Sequence, residues 1–129
     1  MLMHHLMHSY SQPDSSVKLN HTQWKTLFIL SFKEKPSMSQ MCKFINLEKG
    51  SFTSVVDGLI KKELVCRIQD PSDRRKILLE LTEPGRELVI KGKKSMEMHI
   101  QSKLDALDPG DVETLFNALA DIIMIAEKL

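Results

Sequence analysis

Leu64-Val65-Cys66-Arg67-Ile68-Gln69-Asp70-Pro71-Ser72-Asp73-Arg74-Arg75-Lys76-Ile77-Leu78-Leu79-Glu80-Leu81-Thr82-Glu83-Pro84-Gly85 is the stretch on which the reading of this chain turns. Val65 to Gln69 alternates apolar and polar residues, and Lys76 to Leu81 places Ile77, Leu79 and Leu81 on one face. Asp-Pro-Ser-Asp between them is a turn cluster, and two arginines follow at once. The pattern predicts two short strands joined by a polar loop. A hairpin with arginine near its tip has the size to follow a duplex backbone and to enter the narrow minor groove.

The residues before the hairpin read as helices. Asn20 and Gln23 have capping-box spacing, and Trp24, Leu27 and Phe28 form a stripe in a helix that runs to about Phe32. Lys33-Glu34-Lys35-Pro36 breaks it. Ser37-Met38-Ser39-Gln40 is a second capping box. Met38, Met41, Cys42 and Ile45 then fall at helical steps, so this short helix turns one face to a core. Asn46 provides a turn. A further helix follows Lys49-Gly50, with Phe52, Val55, Val56, Leu59 and Ile60 inward and Ser51, Thr53, Ser54, Asp57, Gly58 and Lys61 outward. A short helix, a tight turn and a second helix with small polar residues outward is the helix-turn-helix pattern. Ser and Thr let a helix approach base edges closely. A solvated helix face carries the same residues, and it is the arginine-tipped hairpin that tilts the reading toward nucleic acid.

Beyond the hairpin, Thr82 is the expected N-cap of a long polar helix reaching about Leu104, with Gly92 as its weak point. Asp108-Pro109 opens a last helix. In it Val112, Leu115, Phe116, Leu119, Ile122, Ile123, Ala126 and Leu129 repeat at three- and four-residue steps. At the other end Leu2, Met3, Leu6, Met7 and Tyr10 predict a short amphipathic helix whose second face carries His4, His5 and His8. Both ends are thus apolar stripes outside the centre. They are expected to pair with those of a second copy, which would offer two reading heads to a pseudo-palindromic site.

Bulk composition bounds these readings. At 129 residues, 42% hydrophobic and 27% charged, the chain suits one domain with a real core. Its formal net charge is only +1, but Lys33 to Lys76 holds ten basic against six acidic side chains. A local excess of this kind is what a polyanion meets. No signal peptide is expected, because His4 and His5 interrupt the N-terminal apolar residues, and no apolar run approaches the ~18 residues of a membrane span. Cys42 and Cys66 are expected as reduced thiols in a cytoplasmic protein.

These residues resemble the MarR family of winged helix-turn-helix regulators. The family pattern stands here as Thr53, Val56-Asp57-Gly58-Leu59, Glu63-Leu64-Val65-Cys66-Arg67, Asp70-Pro71-Ser72-Asp73-Arg74-Arg75 and Leu81-Thr82-Glu83-Pro84-Gly85. Asp-Arg-Arg at that distance from Leu-Thr-x-x-Gly is its most specific part. The resemblance implies a mainly α fold with a small β-hairpin wing. It implies one domain over 1–129, in which residues 19–85 form the DNA-binding lobe and residues 1–18 and 86–129 the dimerisation helices. By position, Arg75 would enter or line the minor groove, and Asp73 would orient it or a neighbouring arginine through a charge-assisted hydrogen bond. Arg74 and Lys76 would contact phosphate. Ser37, Ser39 and Gln40 would contact backbone, and Lys49, Ser51, Thr53 and Ser54 would face the major groove. Two residues depart from the pattern. Glu63 stands where glycine usually caps the helix, and Gly58 stands where a larger residue, often Arg, is usual.

Other sites weigh less. His4, His5 and His8 have no acidic or cysteine partners at ligand spacing, so no metal and no cofactor is expected. Cys42 and Cys66 read as small apolar residues. Trp24 and Phe28 are candidates for a pocket that takes a small aromatic or other hydrophobic effector, as family relatives do, although such a stripe equally builds plain core. No nucleophile elbow, phosphate loop or metal-protease motif is present, so an enzyme is not expected. The expectation is a homodimeric, sequence-specific regulator binding double-stranded DNA, acting as a ligand-responsive repressor. The rival is a winged-helix module for protein–protein assembly that does not read DNA.

Overall fold

The structure is a computed structural model and describes residues 17–129. The order of elements is α1 (His21–Phe32), α2 (Met38–Ile45), α3 (Lys49–Lys61), β1 (Val65–Gln69), β2 (Ile77–Leu81), α4 (Glu83–Asp105) and α5 (Pro109–Ala126). The N-terminal helix expected around His4, His5 and His8 lies outside the described residues. The chain forms two compact units that divide between Lys93 and Lys94. The first holds α1 to β2 and the first turns of α4.

Both capping boxes form. The Asn20 side chain accepts the Gln23 N–H at 2.9 Å, and Gln23 Oε1 accepts the Asn20 N–H at 3.0 Å. Ser37 and Gln40 do the same at 3.1 and 2.9 Å. Two orphan amides are thereby satisfied at the start of α1 and two at the start of α2. The inward stripes of α1, α2 and α3 meet in one core, in which Leu27, Met41, Phe52, Val56 and Leu59 are fully buried. Leu79 of β2, also fully buried, closes it from the sheet side.

β1 and β2 pair antiparallel, in register from Val65 opposite Leu81 to Gln69 opposite Ile77. The far edge of β2 is paired as well. The Leu79 N–H donates to Pro36 O at 2.9 Å, and Ser37 bridges Leu78. The break before α2 therefore doubles as a short third rung of the wing, which the sequence pattern does not reveal.

The end of α3 accounts for the departure at Glu63. The Leu64 N–H donates to Leu59 O at 3.0 Å and the Glu63 N–H to Ile60 O at 2.8 Å. This is a Schellman turn, and Glu63 occupies its left-handed position with φ 60°. The departure from glycine does not change how the helix ends; it leaves a strained residue instead. Asn46 closes α2 in the same conformation, also at φ 60°, but asparagine tolerates it. Glu63→Gly should therefore stabilise the chain by about 0.5–1 kcal/mol, the relieved strain less the entropy glycine adds to the unfolded chain. Thermal unfolding at fixed protein concentration should rise by a few degrees. An unchanged or lower midpoint would show that Glu63 is not strained.

Thr82 caps α4, accepting the Gly85 N–H at 3.1 Å, and its hydroxyl donates to Glu63 O at 2.6 Å. The Thr82 N–H donates to Leu64 O at 3.1 Å. The base of the wing and the end of α3 are thus fastened to the first turn of α4. α4 then runs unbroken through Gly92. That glycine is required by packing, since a Cβ there would lie 2.8 Å from Trp24 Cζ3. In α5 no residue is buried, and Phe116, Ile122, Ile123 and Ile125 are all more than half exposed. The predicted stripe is present and uncovered. No described helix is long and apolar enough to cross a membrane.

Candidate nucleic-acid interface

Three elements of the first unit build one charged face. The wing tip is tied by its own aspartates. Asp70 Oδ1 accepts the Ser72 N–H at 2.8 Å, and Asp73 Oδ1 accepts the Arg75 N–H at 3.0 Å. The Lys76 N–H donates to Asp73 O at 2.9 Å, and Gln69 Nε2 donates to Arg74 O at 3.2 Å. Arg74, Arg75 and Lys76 project from this tied loop as exposed side chains. The sequence reading gave Asp73 a guanidinium partner. In the structure Asp73 Oδ1 instead accepts the backbone N–H of Arg75 in an Asx turn, and so holds the backbone that presents Arg75.

On α3, Lys49, Ser51 and Ser54 are exposed and Thr53 is half-buried. Thr53 Oγ1 donates to Lys49 O at 2.8 Å, and Ser54 Oγ to Gly50 O at 3.4 Å. With their protons spent on the helix, these hydroxyls offer oxygen lone pairs outward, suited to the amino groups of cytosine or adenine. Gly58 is not simply outward. It lies against α1, where a Cβ would come within 2.9 Å of Gln23 Nε2. At the start of α2, Ser37 and Gln40 spend side-chain atoms on the capping box, while Ser39 is exposed.

A cleft of about 280 Å³ joins these parts, lined by Ser37, Met38, Ser39, Lys49, Arg67, Arg75, Lys76 and Ile77. Five of the candidate residues thus share one concavity: Ser37, Ser39, Lys49, Arg75 and Lys76. Gln40, Ser51, Thr53, Ser54, Asp73 and Arg74 do not line it. Arg67 does, and the sequence reading missed it. Arg67 Nη2 donates to Asp57 Oδ1 at 2.6 Å. Both residues stood in the quoted motif, but ten positions of separation across a strand and a helix give no signal that they touch.

Trp24 and Phe28 pack with ring centroids 5.8 Å apart and planes tilted by 37°, and Trp24 is only 8% exposed, with no hydrogen-bond partner for Nε1 among the described residues. A second cavity, of about 370 Å³, is lined by neither. Its walls include Leu30, Leu79, Arg86, Val89, Ile90 and Lys93. Arg86 there donates to Leu81 O at 3.1 Å and faces Glu80 at 3.6 Å. Among the described residues no group of His, Cys, Asp and Glu is placed to hold a metal ion. Cys42 and Cys66 are free thiols.

Residues 19–77, which span both capping boxes, α3 and most of the wing, match the MarR family model. The matched segment, just under half of the chain, is of MarR type. Among its relatives is the HTH-type transcriptional regulator MhqR of Bacillus subtilis, 40% identical over 67 residues, which are 52% of this chain and 46% of that protein. The chain thus spans about half the length of MhqR. RV1404 of Mycobacterium tuberculosis has a TM-score of 0.80 at 25% identity, covering 98% of this chain and 84% of that one. The repressor CouR, bound to a 23-mer DNA duplex, has a TM-score of 0.67 at 24% identity and covers 93% of this chain and 80% of its own. The likeness in fold to these two structures therefore extends beyond the matched residues into α4 and α5.

Proposed function

We propose that this chain is a homodimeric transcriptional regulator of the MarR family that binds double-stranded DNA sequence-specifically, acts as a repressor in the cytoplasm, and responds to a small effector. The observation that carries the reading is the cleft in which Lys49, Arg67, Arg75 and Lys76 gather between the starts of α2 and α3 and the wing. Four cations around one concavity suit a phosphate backbone and have little use in a catalytic or an apolar assembly surface. The CouR complex with a duplex supports the same use of this fold.

Lys49, Ser51, Thr53 and Ser54 then face the major groove, Arg75 the minor groove, and Arg74, Lys76, Ser37, Ser39 and Gln40 the backbone. The uncovered stripe of α5 supports dimerisation, because an apolar patch of this kind rarely stays open to water. Two reading heads imply half-sites about 10–11 bp apart. An aromatic or other hydrophobic effector would sit in the cavity beside Val89 and Ile90 rather than against Trp24, which is core. It would relieve repression by binding better to the dimer that cannot engage DNA.

A salt titration tests the reading. Binding to a random duplex should weaken linearly in log–log terms as salt rises, and a promoter fragment from selected genomic DNA should bind more tightly than the random one. No binding at low salt would favour the assembly module instead. Light scattering should give twice the monomer mass; a monomer at micromolar concentration would overturn the dimer.

A further inference from the structure

We infer that Arg67 is a DNA-phosphate ligand and that Asp57 is the positioning residue that holds it ready. The inference rests on the DNA-binding reading above and adds two residues to it. Arg67 leaves the middle of β1, opposite Leu79, and crosses to Asp57 on α3. The ion pair is open to water, with side chains 37% and 57% exposed, so it contributes little to folding stability. Its consequence is geometric. An arginine pinned at one nitrogen has already given up much of its rotamer freedom before DNA arrives. A guanidinium carries five N–H donors, and one short bond to a carboxylate leaves others for a second acceptor.

That acceptor site is the cleft that Arg67 lines with Lys49, Arg75 and Lys76. The guanidinium fork matches two oxygens of a phosphodiester, and the three neighbouring cations make an anion welcome there. The pair also removes a conflict. Asp57 lies on the same helix as Thr53 and Ser54, where an unpaired carboxylate would repel the backbone it approaches. The same bond fixes the wing strand to the reading helix, so the two DNA-facing elements keep one spacing.

Charge and positioning predict opposite signs, which makes the inference testable. If Asp57 acted only through its charge, Asp57→Asn would tighten binding to a polyanion. Positioning predicts that Asp57→Asn weakens binding to a random duplex about 3–10-fold, with the salt slope unchanged. Arg67→Ala should reduce the slope of log K against log salt by about 1, the loss of one phosphate contact. Arg67→Lys should keep the slope and lose affinity, because the charge stays and the fork goes. Fluorescence anisotropy over a series of KCl concentrations reads all four proteins, with thermal unfolding confirming that each is folded. An unchanged slope for Arg67→Ala, or tighter binding by Asp57→Asn, overturns the inference. Inorganic phosphate at matched ionic strength should not displace the duplex. Displacement that disappears in Arg67→Ala would assign the seat to the free anion and overturn it as a DNA contact. A wild-type chain that shows no salt dependence would instead defeat the DNA-binding reading itself, so the two failures are distinct.

Discussion

Arg75→Ala should weaken binding to the native operator by roughly 10- to 100-fold while leaving the fold intact. The size follows from where the side chain stands. The Asp73 carboxylate holds the Arg75 N–H at 3.0 Å and the Lys76 N–H returns to Asp73 O at 2.9 Å, so the backbone under Arg75 is fixed. The side chain itself is exposed and projects from a tied tip. A cation presented this way can enter a narrow minor groove, where the potential is most negative, without further ordering of the loop. Loss of such a contact costs about 1–3 kcal/mol, which brackets the expected factor. Arg74→Ala, next to it, should weaken operator and random duplex alike, since a phosphate contact carries no sequence information. Arg75→Ala should lose more on the operator than on the random duplex. Unfolding midpoints should match wild type for both. Equal affinity of Arg75→Ala and wild type for the operator would show that the tip does not enter the groove.

The local parts of this interface were legible in the sequence because their causes are local. Asn20 with Gln23 and Ser37 with Gln40 cap helices by contacts three residues apart, and both formed as the spacing predicts. The stripes of α1 to α3 and the strand pairing of the wing follow from period and turn chemistry in the same way. The departure from glycine marked Glu63 as a position to watch, but that its backbone stays left-handed is seen only in the structure. What stayed hidden depends on contacts between distant segments. The rung from Pro36 to Leu79, the Asp57–Arg67 bond and the seat of Trp24 on Gly92 each join residues with no periodic relation. Gly92 shows the difference plainly. In sequence it weakens a helix, whereas in the fold it leaves room for an indole ring, and the helix runs through it. Asp73 shows the reverse error. A carboxylate beside two arginines suggests an ion pair, but the nearer backbone amide takes it.

Gly85→Ala should destabilise the chain by about 2–4 kcal/mol, the largest stability effect expected of any single-methyl change here. A Cβ at this position would lie 2.1 Å from Leu64 O and 3.0 Å from Leu64 C. Both are backbone atoms at the turn that ends α3, so no side-chain rotation can relieve the overlap. Either the first turn of α4 lifts or the turn opens. Lifting breaks the Thr82 N–H bond to Leu64 O and the Thr82 hydroxyl bond to Glu63 O. Each lost bond costs about 0.5–1.5 kcal/mol. Overpacking strain adds about 1–3 kcal/mol. The better helix propensity of alanine returns only ~1 kcal/mol. The net should lower the thermal midpoint by roughly 6–15 °C at fixed protein concentration. Gly50→Ala is the control, because nothing lies within 4 Å of a Cβ there and alanine should be neutral or stabilising. An unchanged midpoint for Gly85→Ala would mean that α4 is not seated on the end of α3. A large drop for Gly85→Ala beside no drop for Gly50→Ala would place the joint that fastens α3 and the wing to α4 at the two peptide units of Leu64 and Thr82.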